Sequence, residues 1–166
     1  MLADAGEILE RFTDGRWVAL QPTPGHGARA LRIVRADGIE AGPDELSEGT
    51  LDQVYLALRL AAVRELHRQR TAEGRPAVPL VLDDVLMAFD VERTKEALAV
   101  LSELARDLQI IVFTHHSYVA DEARQLPDVH VAELPTPSPI MADRDTEQFR
   151  AASAHSSQMA AVDIQA

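Results

Sequence analysis

Two short apolar runs, each ending abruptly in polar side chains, constrain the fold of this chain most strongly. They lie at residues 78–84 and 110–116, and each is followed by a helical pattern of apolar residues. Continuous apolar runs of this length are typical of strands buried on both faces of a parallel sheet. These two runs therefore predict an α/β fold with polar residues at the carboxyl ends of its strands, where open sheets bind ligands.

Two adjacent carboxylates, Asp83 and Asp84, end the first run. Side by side they repel each other unless they share a cation, and Mg²⁺ bound with phosphate oxygens would remove that conflict. We expect Asp83 to hold Mg²⁺ through water, and Asp84 to act as general base or orienting group for the water that attacks a γ-phosphate. The simpler alternative is a turn at the strand end, in which Asp84 caps the next segment.

The second run ends in His115 and His116. A histidine at the carboxyl end of a strand can donate a hydrogen bond to a phosphate oxygen. Either residue could fill that position, and we prefer His115 because it directly follows the strand. The pair could instead ligate a metal ion or lie in a solvated loop.

A third polar segment, at residues 46–50, opens a long amphipathic helix. Thr50 and Gln53 fit a capping box, which places the helix start at the preceding glycine. Free backbone N–H groups, the close approach that Gly49 permits and the Ser47 hydroxyl would together suit a γ-phosphate. The alternative is a capped helix without a ligand.

Asp90 precedes a further helical pattern across residues 91–108. Asp is a favoured N-cap residue, so capping this helix is its simplest role. The other interpretation places Asp90 at a subunit interface beside the nucleotide.

The single lysine, Lys95, follows Thr94 and not a glycine. A P-loop needs Gly-Lys followed by Ser or Thr, because the lysine neutralises the β- and γ-phosphates. No such loop can be drawn, so the chain is interpreted as half of a nucleotide-binding domain.

Composition excludes several classes of protein. The net charge of −11 excludes a bulk basic footprint for nucleic acid, so DNA contact is expected through an assembly. The absence of cysteine excludes disulfides and thiolate metal sites. No stretch resembles a signal peptide or could span a bilayer, which favours a cytoplasmic protein without a membrane partner.

The order of these segments resembles the C-terminal lobe of SMC-like ATPases of the ABC type, closest to the YhaN group and to RecF. The matching motifs are a signature motif, a Walker B strand, a D-loop and a switch histidine; they stand here as Leu46-Ser47-Glu48-Gly49-Thr50, Val81-Leu82-Asp83-Asp84, Ala88-Phe89-Asp90 and Phe113-Thr114-His115. Glu48 departs from the glycine of the usual signature, and Asp84 from the more common glutamate.

The resemblance implies an ATP- and Mg²⁺-dependent ATPase that is inactive until a P-loop-bearing N-terminal lobe completes it, within a longer chain or in trans. Ser47, Gly49 and Thr50 would contact ATP held by a second head, whereas Asp83, Asp84 and His115 would act beside the P-loop of their own head. The implied role is DNA repair or chromosome maintenance.

The predicted organisation has three parts. Residues 1–12 are the end of a coiled-coil-like helix, residues 13–134 are the ATPase lobe, and residues 135–166 are a flexible tail. The lobe is expected to hold a mostly parallel sheet with flanking helices and a small antiparallel N-terminal extension, with strands at 17–20, 30–34, near Ile39 and, last, at 129–134.

Two other functions stay open. One is a truncated, non-enzymatic lobe that serves as a dimerisation or docking module. The other is a metal-dependent hydrolase built from Asp83, Asp84, His115 and His116.

Overall fold

A computed structural model describes residues 1–23, 31–87, 89–134 and 159–164. Its helices are α1 (Leu2–Phe12), α2 (Glu48–Ala72), α3 (Val91–Leu104) and α4 (Ser117–Ala123). Its strands are β1 (Trp17–Pro22), β2 (Leu31–Arg35), β3 (Glu40–Ala41), β4 (Leu80–Asp83), β5 (Ile110–Thr114), β6 (Val129–Glu133) and β7 (Ala160–Ile164). The α/β class is confirmed. Within these residues, no helix is long and apolar enough to cross a membrane.

The N-terminal part is a helix packed on a small antiparallel sheet of order β1-β2-β3. The buried face of α1 carries Ile8, Leu9 and Phe12, and the predicted helix bounds are confirmed. Gly6 allows the close approach to β1, because an added Cβ would lie 3.3 Å from the Cα of Ala19. The predicted antiparallel extension is therefore present, with its third strand one residue beyond Ile39.

Helix α2 begins earlier than the capping-box prediction places it. Ser47 is the N-cap, and its hydroxyl accepts a hydrogen bond from the backbone N–H of Thr50 at 3.3 Å. Gln53 does not reach back to the helix start. Its buried side chain instead donates a hydrogen bond of 2.7 Å to the carbonyl oxygen of Phe12, at the end of α1. The capping box at Thr50 is therefore wrong, and Gln53 joins two helices.

The larger sheet has the strand order β4-β5-β7-β6. Strands β4 and β5 are parallel, whereas β7 is antiparallel to both of its neighbours. Consequently β4, β5 and β6 run in one direction, as expected for a mostly parallel sheet, and β7 runs against them.

The flexible tail predicted for residues 135–166 is wrong at residues 160–164, which form β7 in the interior of the sheet. Ala160, Val162 and Ile164 are buried, and Ala161 and Asp163 alternate with them. This period-2 pattern is too short to stand out in a segment rich in Ala, Ser and Gln. Strand β6 is therefore not the last one. Residues 135–158 and 165–166 lie outside the described residues.

The two faces of the larger sheet differ in burial. Ile110 and Val112 are buried on one face, whereas Ile111 and Phe113 on the other are only half-buried. Val81 of β4 lies on that second face and keeps 55% of its surface exposed. The expectation that β4 is buried on both faces is wrong, because the second face of the described sheet is open at Val81 and only partly covered at Ile111 and Phe113.

The Gln53 contact generates a stability prediction. We expect Gln53→Leu to lower the free energy of unfolding by about 1–3 kcal/mol, because the carbonyl oxygen of Phe12 would stay buried without its donor. The exposed Gln69 lies on the same helix, and Gln69→Leu should change the stability by less than about 0.5 kcal/mol. Urea unfolding of both variants is the measurement, and equal midpoints would contradict the role of Gln53.

Candidate functional site

A left-handed backbone at Asp84 ends β4 and starts the turn after it. Its φ is +50°, a region where Asp is enriched among non-glycine residues. The Asp84 N–H still donates to the carbonyl oxygen of Phe113 at 2.9 Å, which extends the β4–β5 pairing by one residue. This turn sets the Asp84 side chain against the end of β5.

The carboxylate of Asp84 faces Thr114, the last residue of β5, and the two histidines that follow it. Its Oδ1 accepts a hydrogen bond of 3.2 Å from the Thr114 hydroxyl, and its Oδ2 lies 2.8 Å from Nδ1 of His115. Nε2 of His116 lies 3.9 Å from Oδ1. The Thr114 hydroxyl is buried and also accepts from the N–H of His116, so one threonine orders both sides of the cluster.

His115 and His116 play different parts in this arrangement. Because Nδ1 of His115 faces Asp84, its Nε2 points away from the carboxylate, and the side chain is 41% exposed. The His116 ring packs between His115 and Tyr118, at centroid distances of 4.0 and 5.5 Å. Its Nε2 is buried without a hydrogen-bond partner among the described residues. His115 is the better placed of the two to meet a ligand.

Asp83 is exposed. An exposed carboxylate at the carboxyl end of a strand fits Mg²⁺, which keeps several of its waters when bound. One donor atom each from Asp84, His115 and His116 lie within 4.8 Å of one another, a set that includes nitrogen ligands. The hydrolase alternative required both carboxylates, and Asp83 is not part of this set.

Ser47 borders a different cavity, of about 560 Å³, at the start of α2. Its Oγ lies 2.8 Å from the Thr50 hydroxyl, and Arg16 and Arg35 also line the space. Arg35 is held by Asp37 in a bidentate pair, and its hydrogen bonds lower the pKa of the Asp37 carboxyl to about 2. Arg16 has no acidic partner among the residues the structure describes.

Asp90 caps α3, as its simplest interpretation predicts. Its Oδ1 accepts from the N–H of Arg93 at 2.9 Å. Asp90 also borders a cavity of about 460 Å³ together with Thr50 and Gln53. The Ser47 and Asp90 cavities thus share Arg16, Trp17 and Thr50, and neither is lined by Asp84 or His115. The predicted site residues form two separate groups within this chain.

Three contributors are missed by sequence reasoning. Thr114 stands in the sequence as an ordinary strand residue, although a hydroxyl before paired histidines is a usable signal. Tyr118 donates toward the carbonyl oxygens of Leu86 and Phe89, at 3.4 and 3.2 Å, and so anchors the segment before Asp90. Arg16 reaches its cavity only through the folding of β1, which no local pattern indicates.

The chain has a sequence relative among known proteins. The chain is 32% identical over 132 residues, or 79% of its length, to the uncharacterized protein YhaN of Bacillus subtilis (strain 168). It spans 13% of the length of that relative. No protein-family model matches the chain.

Solved structures of SMC proteins share the fold. One, from work on ATP-driven dimerization and DNA-stimulated activation of SMC ATPases, has a TM-score of 0.59 at 15% identity, over 82% of this chain and 77% of that chain. Another is the Smc head domain of Pyrococcus furiosus with an extended coiled coil, bound to the C-terminal domain of ScpA. Its TM-score is 0.54 at 13% identity, over 80% of this chain and 31% of that chain. The resemblance that the motifs predict is thereby confirmed, in sequence to YhaN and in fold to SMC ATPase structures.

Proposed function

We propose that this chain is the C-terminal half of an SMC/YhaN-like ATPase head, which becomes active when a P-loop-bearing lobe completes it. The observation that carries the proposal is the cluster of Asp84, Thr114 and His115 at the carboxyl ends of two parallel strands. A carboxylate and an exposed imidazole at this edge stand where α/β sheets bind their ligands.

The chemistry of this cluster suits phosphoryl transfer to water. Each Asp84 oxygen keeps acceptor capacity beyond its contacts to Thr114 and His115, so the carboxylate can also orient a water molecule. Nε2 of His115, turned away from Asp84, is free to meet a phosphate oxygen in its protonated form. Asp83 would hold Mg²⁺, which supplies charge neutralisation at the phosphates when bound.

The Ser47 group is proposed to act across the assembly on ATP held by a second head. Ser47, Gly49 and Thr50 lie in or beside the first turn of α2, whose free N–H groups favour an anion. Arg16 adds a positive charge to the same cavity. Asp84 and His115 lie outside that cavity, which supports an arrangement in which the nucleotide lies between two copies of the head. Asp90, beside Thr50, would then lie at the interface between heads.

The open face of the larger sheet fits the surface that a second lobe would cover. Val81 is exposed there beside half-buried Ile111 and Phe113, and β4 leaves an edge of the described sheet unpaired. Exposed apolar surface at an unpaired strand is typical of an interaction site. Helix α1 would continue a coiled-coil arm on the other side of the lobe.

The wider role rests on the resemblance. We infer a cytoplasmic ATPase that serves DNA repair or chromosome maintenance, with DNA bound through the assembled heads. A docking module without turnover would share the fold and the open face, and a measurement of ATP hydrolysis by the completed head separates the two.

We predict that the isolated chain binds Mg-ATP weakly, with Kd on the order of 1 mM, or ~4 kcal/mol. The P-loop lysine and backbone cradle that supply most of the phosphate binding are absent from its sequence. Isothermal calorimetry is the measurement. Micromolar affinity of the chain alone would contradict the proposal that it is half of an ATPase head.

A second prediction concerns hydrolysis by the chain joined to a P-loop-bearing lobe of its family. Asp84→Asn should lower turnover by about 10²–10⁴, the usual contribution of a positioned base, while ATP binding persists. Asp121 on α4 is an exposed carboxylate paired with Arg124, which follows the helix, and Asp121→Asn serves as the matched control. ATPase assays should leave the control at the parent rate. An Asp84→Asn enzyme that also keeps the parent rate would show that Asp84 is not the base.

The third prediction concerns head closure. Ser47→Arg places a bulky cation in the cavity at the start of α2, so ATP-dependent dimerisation of the completed head should be lost. Gln69→Arg adds the same side chain at the far, exposed end of α2 and should leave dimerisation unchanged. Analytical ultracentrifugation with and without ATP measures the outcome. Normal dimerisation of Ser47→Arg would mean that the signature motif is misassigned.

A further inference from the structure

Strand β7 fills a gap one strand wide between two strands that run in the same direction. It pairs antiparallel with β5 on one side and with β6 on the other, so that Val162 lies opposite both Val112 and Val131. Neighbouring strands lie about 4.8 Å apart, so β5 and β6 without β7 would stand roughly 10 Å apart with facing unpaired edges. The parallel strands thus bound a slot, and β7 is its occupant.

The occupant reaches the slot through a long connection. Beyond the last pair of β6 and β7, the N–H of Leu134 donates a hydrogen bond of 3.0 Å to the carbonyl oxygen of Met159. Residues 135–158 connect these two positions in the chain. Antiparallel neighbours are usually joined by two to about five residues, and a long closure has a larger entropic cost. Because β7 follows every other strand of this sheet in the chain, its removal breaks the pairing with β5 and β6 but leaves the connections between the other strands intact.

Strand β7 carries a charged residue, Asp163, although it lies in the interior of the sheet. Asp163 lies on the open face of the sheet, opposite Ile111 and His130, where its carboxylate accepts from the Gln109 side chain at 3.1 Å. A lobe that covered this face with β7 in place would take a carboxylate out of water, which is costly. A strand with an apolar residue at this position could be covered at lower cost.

The direction of β5 and β6 indicates which strand could lie between them in place of β7. A P-loop follows directly after the carboxyl end of its strand. A strand in the slot parallel to β5 would end at the edge of the sheet where Thr114 ends β5, beside Asp84 and His115. Strand β7 runs the other way and presents its first residue, Ala160, opposite Thr114.

We propose that Ala160–Ile164 is a stand-in strand, which holds the position that a parallel strand of the P-loop-bearing lobe takes when the head is completed. Displacement of β7 is then a required step in assembly, so β7 regulates when the nucleotide site forms. The inference rests on the proposed function, since it names where the second lobe inserts.

A reversible crosslink tests the proposal, because the chain has no cysteine of its own. Ile111 and Asp163 are Cα partners across β5 and β7, at a spacing that a disulfide can bridge. Ile111→Cys with Asp163→Cys should crosslink on oxidation and lock β7 in the slot. The probe is a P-loop-bearing lobe of an SMC/YhaN-like ATPase with Mg-ATP, and its binding is measured for the oxidised and reduced forms.

We expect at least tenfold weaker binding of the lobe to the oxidised form than to the same variant reduced. Gln21→Cys with Arg32→Cys, a crosslink between β1 and β2, should show no such difference. Hydrogen exchange at residues 160–164 should become faster when the lobe binds the parent chain, while β5 stays protected.

The other outcomes are equally informative. Equal binding of the oxidised and reduced forms overturns the stand-in strand and leaves the proposed function intact. A pair that fails to crosslink overturns it as well, because β7 would not lie in the slot. Binding of the lobe to neither the parent nor either variant form contradicts the proposed function itself.

Discussion

The parallel pairing of β4 with β5 is the interaction on which the site depends. Its last backbone hydrogen bond, from Asp84 to Phe113, is made by a residue that has already turned out of the strand. That bond fixes the start of the turn, and the Thr114 hydroxyl then fixes its carboxylate. Two strands of ordinary apolar sequence therefore bring Asp84, Thr114 and His115 into one cluster.

Much of the architecture follows from local sequence patterns. Helix α1, strands β4 and β5 and the capping of α3 by Asp90 agree with apolar periodicity and with the turn residues that bound them. The failures have a shared cause, which is that they depend on distant partners. Gln53 satisfies a carbonyl of α1 instead of its own helix start. Strand β7 is stabilised by β5 and β6, and its own short alternation is lost in a segment of low complexity.

Some features of the candidate site can likewise be predicted from the sequence, and others cannot. Adjacent carboxylates and paired histidines at the ends of apolar runs predict that Asp84 and His115 meet, because strand ends in one sheet share an edge. The same reasoning cannot tell which of Asp83 and Asp84 contacts the histidines. That choice depends on the left-handed backbone of Asp84, which forms where β4 pairs with β5. Nor can it tell that His116 packs inward against Tyr118 while His115 stays exposed.

Tyr118 follows the histidines by two residues, yet its hydroxyl contacts the carbonyl oxygens just before Asp90. The segment that would sense a γ-phosphate and the segment that would face a neighbouring head are therefore braced against each other. A rotation of α4 would strain the two Tyr118 hydrogen bonds unless the backbone at Leu86 and Phe89 moved with it. In an assembled dimer this brace would couple the occupancy of one active site to the shape of the other.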